Sequence, residues 1–196
     1  GYCMKEVVIV GGVRTAIGQF GGSLKDVPVV QLGTLVIKDA LKRSGLRPVP
    51  SAALLDMQPE KLKGRGMIDL EKKAYDYDDS LIPVQVDEVI MGNVLQAMQG
   101  QNTARQAMLK AGVSKEASAF TINKVCASGL KAITIGAAYI AAGQCDVIVA
   151  GGMENMSQTP YALPKARWGY RMDVTGYGQV TDMMVVDGVY EIMYGY

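Results

Sequence analysis

Histidine is absent from the 196 residues. That removes the usual general base at neutral pH and every metal motif built on imidazole. Any mechanism that needs an imidazole as base must get it from elsewhere or use another group. Cysteine is scarce too: Cys3, Cys126 and Cys145 form no CxxC pair. This argues against a disulfide framework or a zinc site and fits a reducing compartment, the cytoplasm. Neither sign of charge is in excess: Lys+Arg 20 against Asp+Glu 19 leaves +1, with no basic stripe for nucleic acid. No apolar run reaches membrane-spanning length and no secretory signal opens the chain. Nucleic acid and membrane are therefore not expected partners.

What is present is ordinary for a globular protein: 49% apolar and 20% charged residues. Residues 6–10 read as a strand closed by Gly11-Gly12. Residues 14–24, RTAIGQFGGSL, form a glycine-rich loop. Its glycines are able to cradle a phosphate, but it matches neither GxGxxG nor a P-loop, and a connecting loop explains it as well. Residues 29–44 carry apolar side chains at helical spacing, with Pro28 in the first turn, Asp26 as a cap and Gly45 as the stop. Residues 87–91 are a strand. Asn102 caps a helix over 103–111 that ends at Gly112. Strand and helix alternate, so the class is α/β with a largely parallel sheet.

Residues 49–83 break this pattern with Pro50, Pro59, Pro83 and mixed charge. They read as a surface insertion outside the active site, helical over 59–73 with interruptions at Gly64 and Gly66. After Ser157 the alternation fails. Residues 161–177 are loop-like, and 182–189 begin a further helix or strand.

The densest information lies in residues 120–157. A strand over 119–122 hands over to Cys126, a helix runs from there to about residue 142, and a second apolar run over 146–150 closes on Gly151-Gly152. Cys126 stands where unpaired helix N–H groups and the positive dipole end favour a thiolate. A small buried hydrophobe is the competing reading of such a residue. The helix has small residues on every face and Lys131 as its only charge, so it should be buried all round, between two layers.

RTAIGQFGGSL, VDEVIMGNVLQAMQGQNTARQA, NKVCASGLKA and VIVAGGMENMS, in that order, resemble the thiolases, with the nearest likeness to biosynthetic acetyl-CoA acetyltransferases. PYALPKARWGYRM is similar to the thiolase loop that follows the GGMENMS turn. The resemblance implies an α/β fold, the N-terminal half of a five-layer α-β-α-β-α thiolase completed by a partner. Residues 4–48 and 83–155 would form the core half, 49–82 a surface insertion, and 156–196 the start of the loop domain. It implies Cys126 as the nucleophile, with its backbone N–H as an oxyanion donor. Acetyl-CoA acylates the cysteine, and a second acetyl-CoA condenses to acetoacetyl-CoA; thiolysis is the reverse. No cofactor is implied, coenzyme A being the substrate carrier. Lys165, Arg167, Trp168 and Arg171 are candidates for assembly contacts; the substrate-binding residues are not identified.

Three departures from the family pattern stand out. Residues 49–82 are extra. Ala16 occupies a position where many thiolases have Pro. The second half, with its GHP-type His and CxGG-type Cys, does not occur here. The expectation is therefore a split thiolase, active only with a complementary thiolase-half subunit that supplies the catalytic His and the second Cys and begins near a GYHMG-like run, with acyl-CoA as the small-molecule partner, in a heterotetramer or larger assembly. The alternatives are a non-catalytic acyl-CoA-binding or scaffold subunit of thiolase descent, or a truncated full-length thiolase.

Overall fold

The computed structural model describes residues 4–172 and 178–195. Helix α1 (Val29–Arg43) buries Val29, Val30, Gly33, Ile37 and Leu41, a stripe at helical spacing. Pro28 occupies its N-cap position and no side chain caps it, so Asp26 does not take the expected role. Gly45, at φ +74°, ends the helix. Strand β1 (Leu46–Pro48) then pairs in parallel with β2 (Ile82–Val84) as a separate two-stranded sheet.

Between them lie α2 (Ala52–Asp56), a 3₁₀ turn (Glu60–Leu62) and α3 (Asp69–Ala74). The helix expected over 59–73 is thus two short pieces separated at Gly64 and Gly66, both at positive φ. Most of residues 52–70 face solvent, but Glu71, Ala74 and Tyr77 are buried. The segment is therefore an excursion with a docked return. Glu71 accepts hydrogen bonds from Ile68 N–H and Lys115 N–H, each at 2.7 Å. The Tyr77 hydroxyl donates to the Ala111 carbonyl at 2.7 Å.

The main sheet has the order β4-β3-β5, all parallel: β3 (Glu88–Gly92), β4 (Ser118–Ile122) and β5 (Ile148–Gly152). Helix α4 (Thr103–Lys110) links β3 to β4, and α5 (Ser128–Ala141) links β4 to β5. Asn102 caps α4 through its side chain, accepting from Arg105 N–H, and Gly112 at φ +85° follows its end. Alternation along β3 divides the two faces. Val89 and Met91 join α1 and α4 in one core with Ile37, Ala107 and Met108. On the opposite face, Gly92 meets Ser128 and Gly129 of α5. The result is an α-β-α sandwich. The chain ends with β6 (Tyr161–Ala162) antiparallel to β7 (Thr181–Asp182), and a π-helical turn (Val185–Val189) whose Gly188 rests on Leu95.

Two further expectations are corrected. Residues 6–10 form no strand. They are exposed and lie outside any assigned element, next to Lys5, whose N–H donates to the Ala141 carbonyl and whose Nζ reaches Asp146 at 2.6 Å. Apolar composition makes a strand only where a neighbouring edge supplies the ladder, and this segment has none. Helix α5 is not buried all round: Ser128, Ala132 and Gly136 are covered, while Leu130 and Ile133 are exposed. Among the described residues no element covers its outer side, so its small-residue face meets the sheet and Leu130 and Ile133 face out.

Candidate active site

Cys126 sits on the turn between β4 and α5, at the end of the sheet where β3, β4 and β5 finish level, Gly92 opposite Ile122 and Gly152. It is solvent-exposed. The turn is compact: Ala127 N–H donates to the Lys124 carbonyl at 3.2 Å and Ser128 N–H to the Val125 carbonyl at 3.1 Å. The N-cap of α5 is Ala127, which offers no side-chain oxygen to its N–H groups. The helix comes this close to the sheet because three glycines face one another. A Cβ on Gly92 would lie 2.5 Å from the Ser128 carbonyl carbon, and one on Gly152 would lie 3.2 Å from Gly129 Cα.

The loops around this end are tied by the turn after β5. Glu154 accepts from Asn93 Nδ2 at 2.8 Å, Val94 N–H at 2.9 Å and Leu95 N–H at 3.1 Å. Asn155 Nδ2 lies within hydrogen-bond reach of the carbonyls of Leu24, Lys25 and Val27. Ser157 Oγ accepts from Gly21 N–H at 2.9 Å. Thus Glu154, Asn155 and Ser157 of the ENMS turn staple both the 93–95 loop and the glycine-rich loop. A cavity of about 320 Å³ lies between that loop and the turn, lined by Arg14, Phe20, Lys25 and Glu154 among others. Cys126 is not among its lining residues. Asn93 itself is buried and accepts from the Thr103 hydroxyl at 2.9 Å, which joins the start of α4 to the end of β3. None of these polar residues stood out in the sequence; an ENMS turn next to a Gly-Gly strand end is the signal that pointed nearest.

The other described thiol differs in kind. Cys145 is half-buried, and burial pushes its pKa up, assisted by the carboxylates of Asp87, Glu88 and Asp146. Cys3 lies outside the described residues. Lys165, Arg167, Trp168 and Arg171 stand together on the loop after β6, on a different element from Cys126. Lys165 leads into a 3₁₀ turn (Ala166–Trp168), and Trp168 is 85% exposed. Among the described residues no three His, Cys, Asp or Glu side chains converge to hold a metal, and no helix is long and apolar enough to cross a membrane.

Residues 7–55 and 70–196 match the family described as "Thiolase, N-terminal domain", leaving out 56–69, the most exposed part of the excursion. Over 192 residues the chain is 44% identical to an acetyl-CoA acetyltransferase of Syntrophomonas wolfei, covering 98% of this chain and 39% of that protein. An acetyl-CoA acetyltransferase of Escherichia coli is 46% identical over 194 residues, covering 98% and 40%. The crystal structure of the Bacillus anthracis acetyl-CoA acetyltransferase superposes with a TM-score of 0.71 at 34% identity, covering 97% of this chain and 38% of that one. The chain therefore spans about two-fifths of the length of these relatives. With its parallel sheet, its cysteine at the strand-to-helix turn and this breadth of similarity, the chain belongs to the thiolase family, of which it carries the N-terminal domain.

Proposed function

We propose that these residues are the acyl-accepting half of an acetyl-CoA acetyltransferase, with Cys126 as nucleophile. The observation that carries this reading is the position of the thiol. It is exposed on a tight turn at the level end of a parallel sheet, before a helix whose N-terminus has no side-chain cap. The Cys126 sulfur adds to the thioester carbonyl of acetyl-CoA. The C–S bond to coenzyme A breaks, coenzyme A leaves with a proton, and an acetyl thioester remains on Cys126. A second acetyl-CoA loses an α-proton, and its carbon attacks that thioester. Acetoacetyl-CoA departs and the thiol is regenerated. A sulfur serves both steps because it is nucleophilic near neutral pH and a good leaving group. The Cys126 N–H is the oxyanion donor in this scheme.

The sequence contains no histidine, so the imidazole that activates Cys126 and the second thiol that moves the α-proton come from a complementary thiolase half. The exposed apolar face of α5, with Leu130 and Ile133, supports its docking there. We place Lys165, Arg167, Trp168 and Arg171 at assembly contacts of a complex of four or more halves. Acylation is tested by mixing the assembled protein with limiting radiolabelled acetyl-CoA and mapping the label. The label is expected on the Cys126 peptide and lost in Cys126→Ala. A Cys126→Ala variant that still forms an acyl-enzyme and turns over would refute the assignment. Full activity from residues 1–196 alone would refute the need for the complementary half.

A further inference from the structure

The turn that carries Cys126 contains a backbone conformation unusual for its residue. Val125 adopts φ +50°, in the left-handed region where a β-branched side chain is a genuine outlier. Packing does not hold it there, because Val125 is 52% exposed. Hydrogen bonds from either flank hold its two backbone polar groups instead, the carbonyl also receiving Ser128 N–H at 3.1 Å. Val125 N–H donates to Asn123 Oδ1 at 2.8 Å. The Val125 carbonyl accepts from the Ser128 hydroxyl at 2.5 Å. The same Ser128 Oγ accepts from Lys124 N–H at 2.8 Å, so one buried hydroxyl closes the loop across the residue that bears the thiol. Ser128 is in turn fixed from below, because it rests on Gly92 at the end of β3.

We propose that Asn123 and Ser128 are positioning residues for Cys126. They hold Val125 in the left-handed region and so fix the direction in which the thiol leaves the turn ahead of α5. Returning Val125 to an ordinary conformation rotates φ by roughly 100°, at the residue next to the sulfur-bearing one. A misplacement of about 1 Å costs on the order of 100-fold in rate. The inference rests on the reading of Cys126 as the nucleophile.

The test uses the protein joined to its complementary half and measures the single-turnover rate of Cys126 acylation by acetyl-CoA, followed by mass spectrometry. Asn123→Ala and Ser128→Ala are expected to slow acylation by about 10- to 100-fold, with the KM for acetyl-CoA unchanged. Val125→Gly is then added to each. Glycine takes positive φ without the Cβ penalty, so the double variants are expected to regain most of the lost rate. Tm is recorded alongside: relief of the Cβ strain and the wider unfolded ensemble of glycine oppose one another there, so the acylation rate is the deciding readout. A rate regained at unchanged KM by a substitution that adds no side-chain contact is a result that a merely structural role does not produce. Should Ser128→Ala fail to fold, the exposed Asn123→Ala pair decides. Wild-type acylation in the single variants, or no recovery with Val125→Gly, overturns the inference. Acylation that persists in Cys126→Ala instead removes the nucleophile reading itself, which separates the two failures.

Discussion

Gly92→Ala provides a stringent test of how the Cys126 turn is seated. Gly92 is the last residue of β3, and its α-hydrogen faces the first turn of α5. A Cβ there would stand 2.5 Å from the Ser128 carbonyl carbon, 2.6 Å from Gly129 N and 2.6 Å from Ser128 Cβ. That is about 1 Å short of ordinary contact. Two of the three atoms are backbone, so no rotamer change relieves the clash. The start of α5 must move by about the same 1 Å, taking Ser128 and the Cys126 turn with it. Overpacking of this kind costs about 1–3 kcal/mol, and the displacement of the thiol about 100-fold in acylation rate. The glycine is not at positive φ, so the effect is steric and not conformational. Gly12→Ala serves as the control, since nothing lies within 4 Å of its Cβ position. Thermal unfolding and single-turnover acylation are measured on both. A Gly92→Ala protein with the Tm and acylation rate of the control would refute the close seating of α5 on the sheet.

Further outcomes follow from the same geometry. Glu71→Ala should destabilise the fold by about 3 kcal/mol in urea titration, because the N–H groups of Ile68 and Lys115 lose their buried acceptor, while the Lys115 ammonium keeps Glu116 at 2.9 Å. Loss of less than about 1 kcal/mol would mean that water replaces it. Excising residues 57–65 behind a short glycine linker should spare acylation, whereas an excision extended through Tyr77 should unfold the protein by removing its docked return; circular dichroism and acyl transfer distinguish the two. Iodoacetamide at pH 7.5, a working condition of about that value, should label Cys126 well before Cys145. Labelling of Cys145 should keep rising into strongly alkaline solution, since burial and then Asp87, Glu88 and Asp146 raise its pKa. Glu88 has a buried carboxylate oxygen without a partner, and burial raises its pKa despite a bond from Ser118. A raised carboxyl favours folding below its unfolded pKa and loses that contribution as pH rises through the folded value. Glu88→Gln should therefore raise Tm at neutral pH and not in acid, where the native carboxyl is already protonated; an equal gain at both would sink this account.

Much of the frame was readable where local rules and tertiary context agree. Asn102 and Gly112 bound α4 as a cap and a stop should, and the runs at β3, β4 and β5 became a parallel sheet. The pairing of β1 with β2 was not readable: each strand has three residues including a proline, and 33 residues separate them. Residues 6–10 had the composition of a strand without an edge to pair with. The place of Cys126 on the turn ahead of a helix was legible from the strand and helix patterns around it. The conformation that aims it was hidden, because valine is among the last residues expected at positive φ. Likewise Glu154 and Asn155 read as polar turn residues, and only folding brings each to a different loop.

The docked return of the excursion has a consequence for engineering. Glu71 and Tyr77 fasten the chain beyond α3, and Gly64, at φ +73° with nothing within 4 Å of its Cβ position, sits at the exposed tip. A loop closed by a fixed anchor loses only about 0.6 kcal/mol for each doubling of its length. The stretch around Gly64 is therefore a splice point. A reporter peptide or a small folded domain inserted there would ride on the protein while the main sheet and the Cys126 turn stay undisturbed.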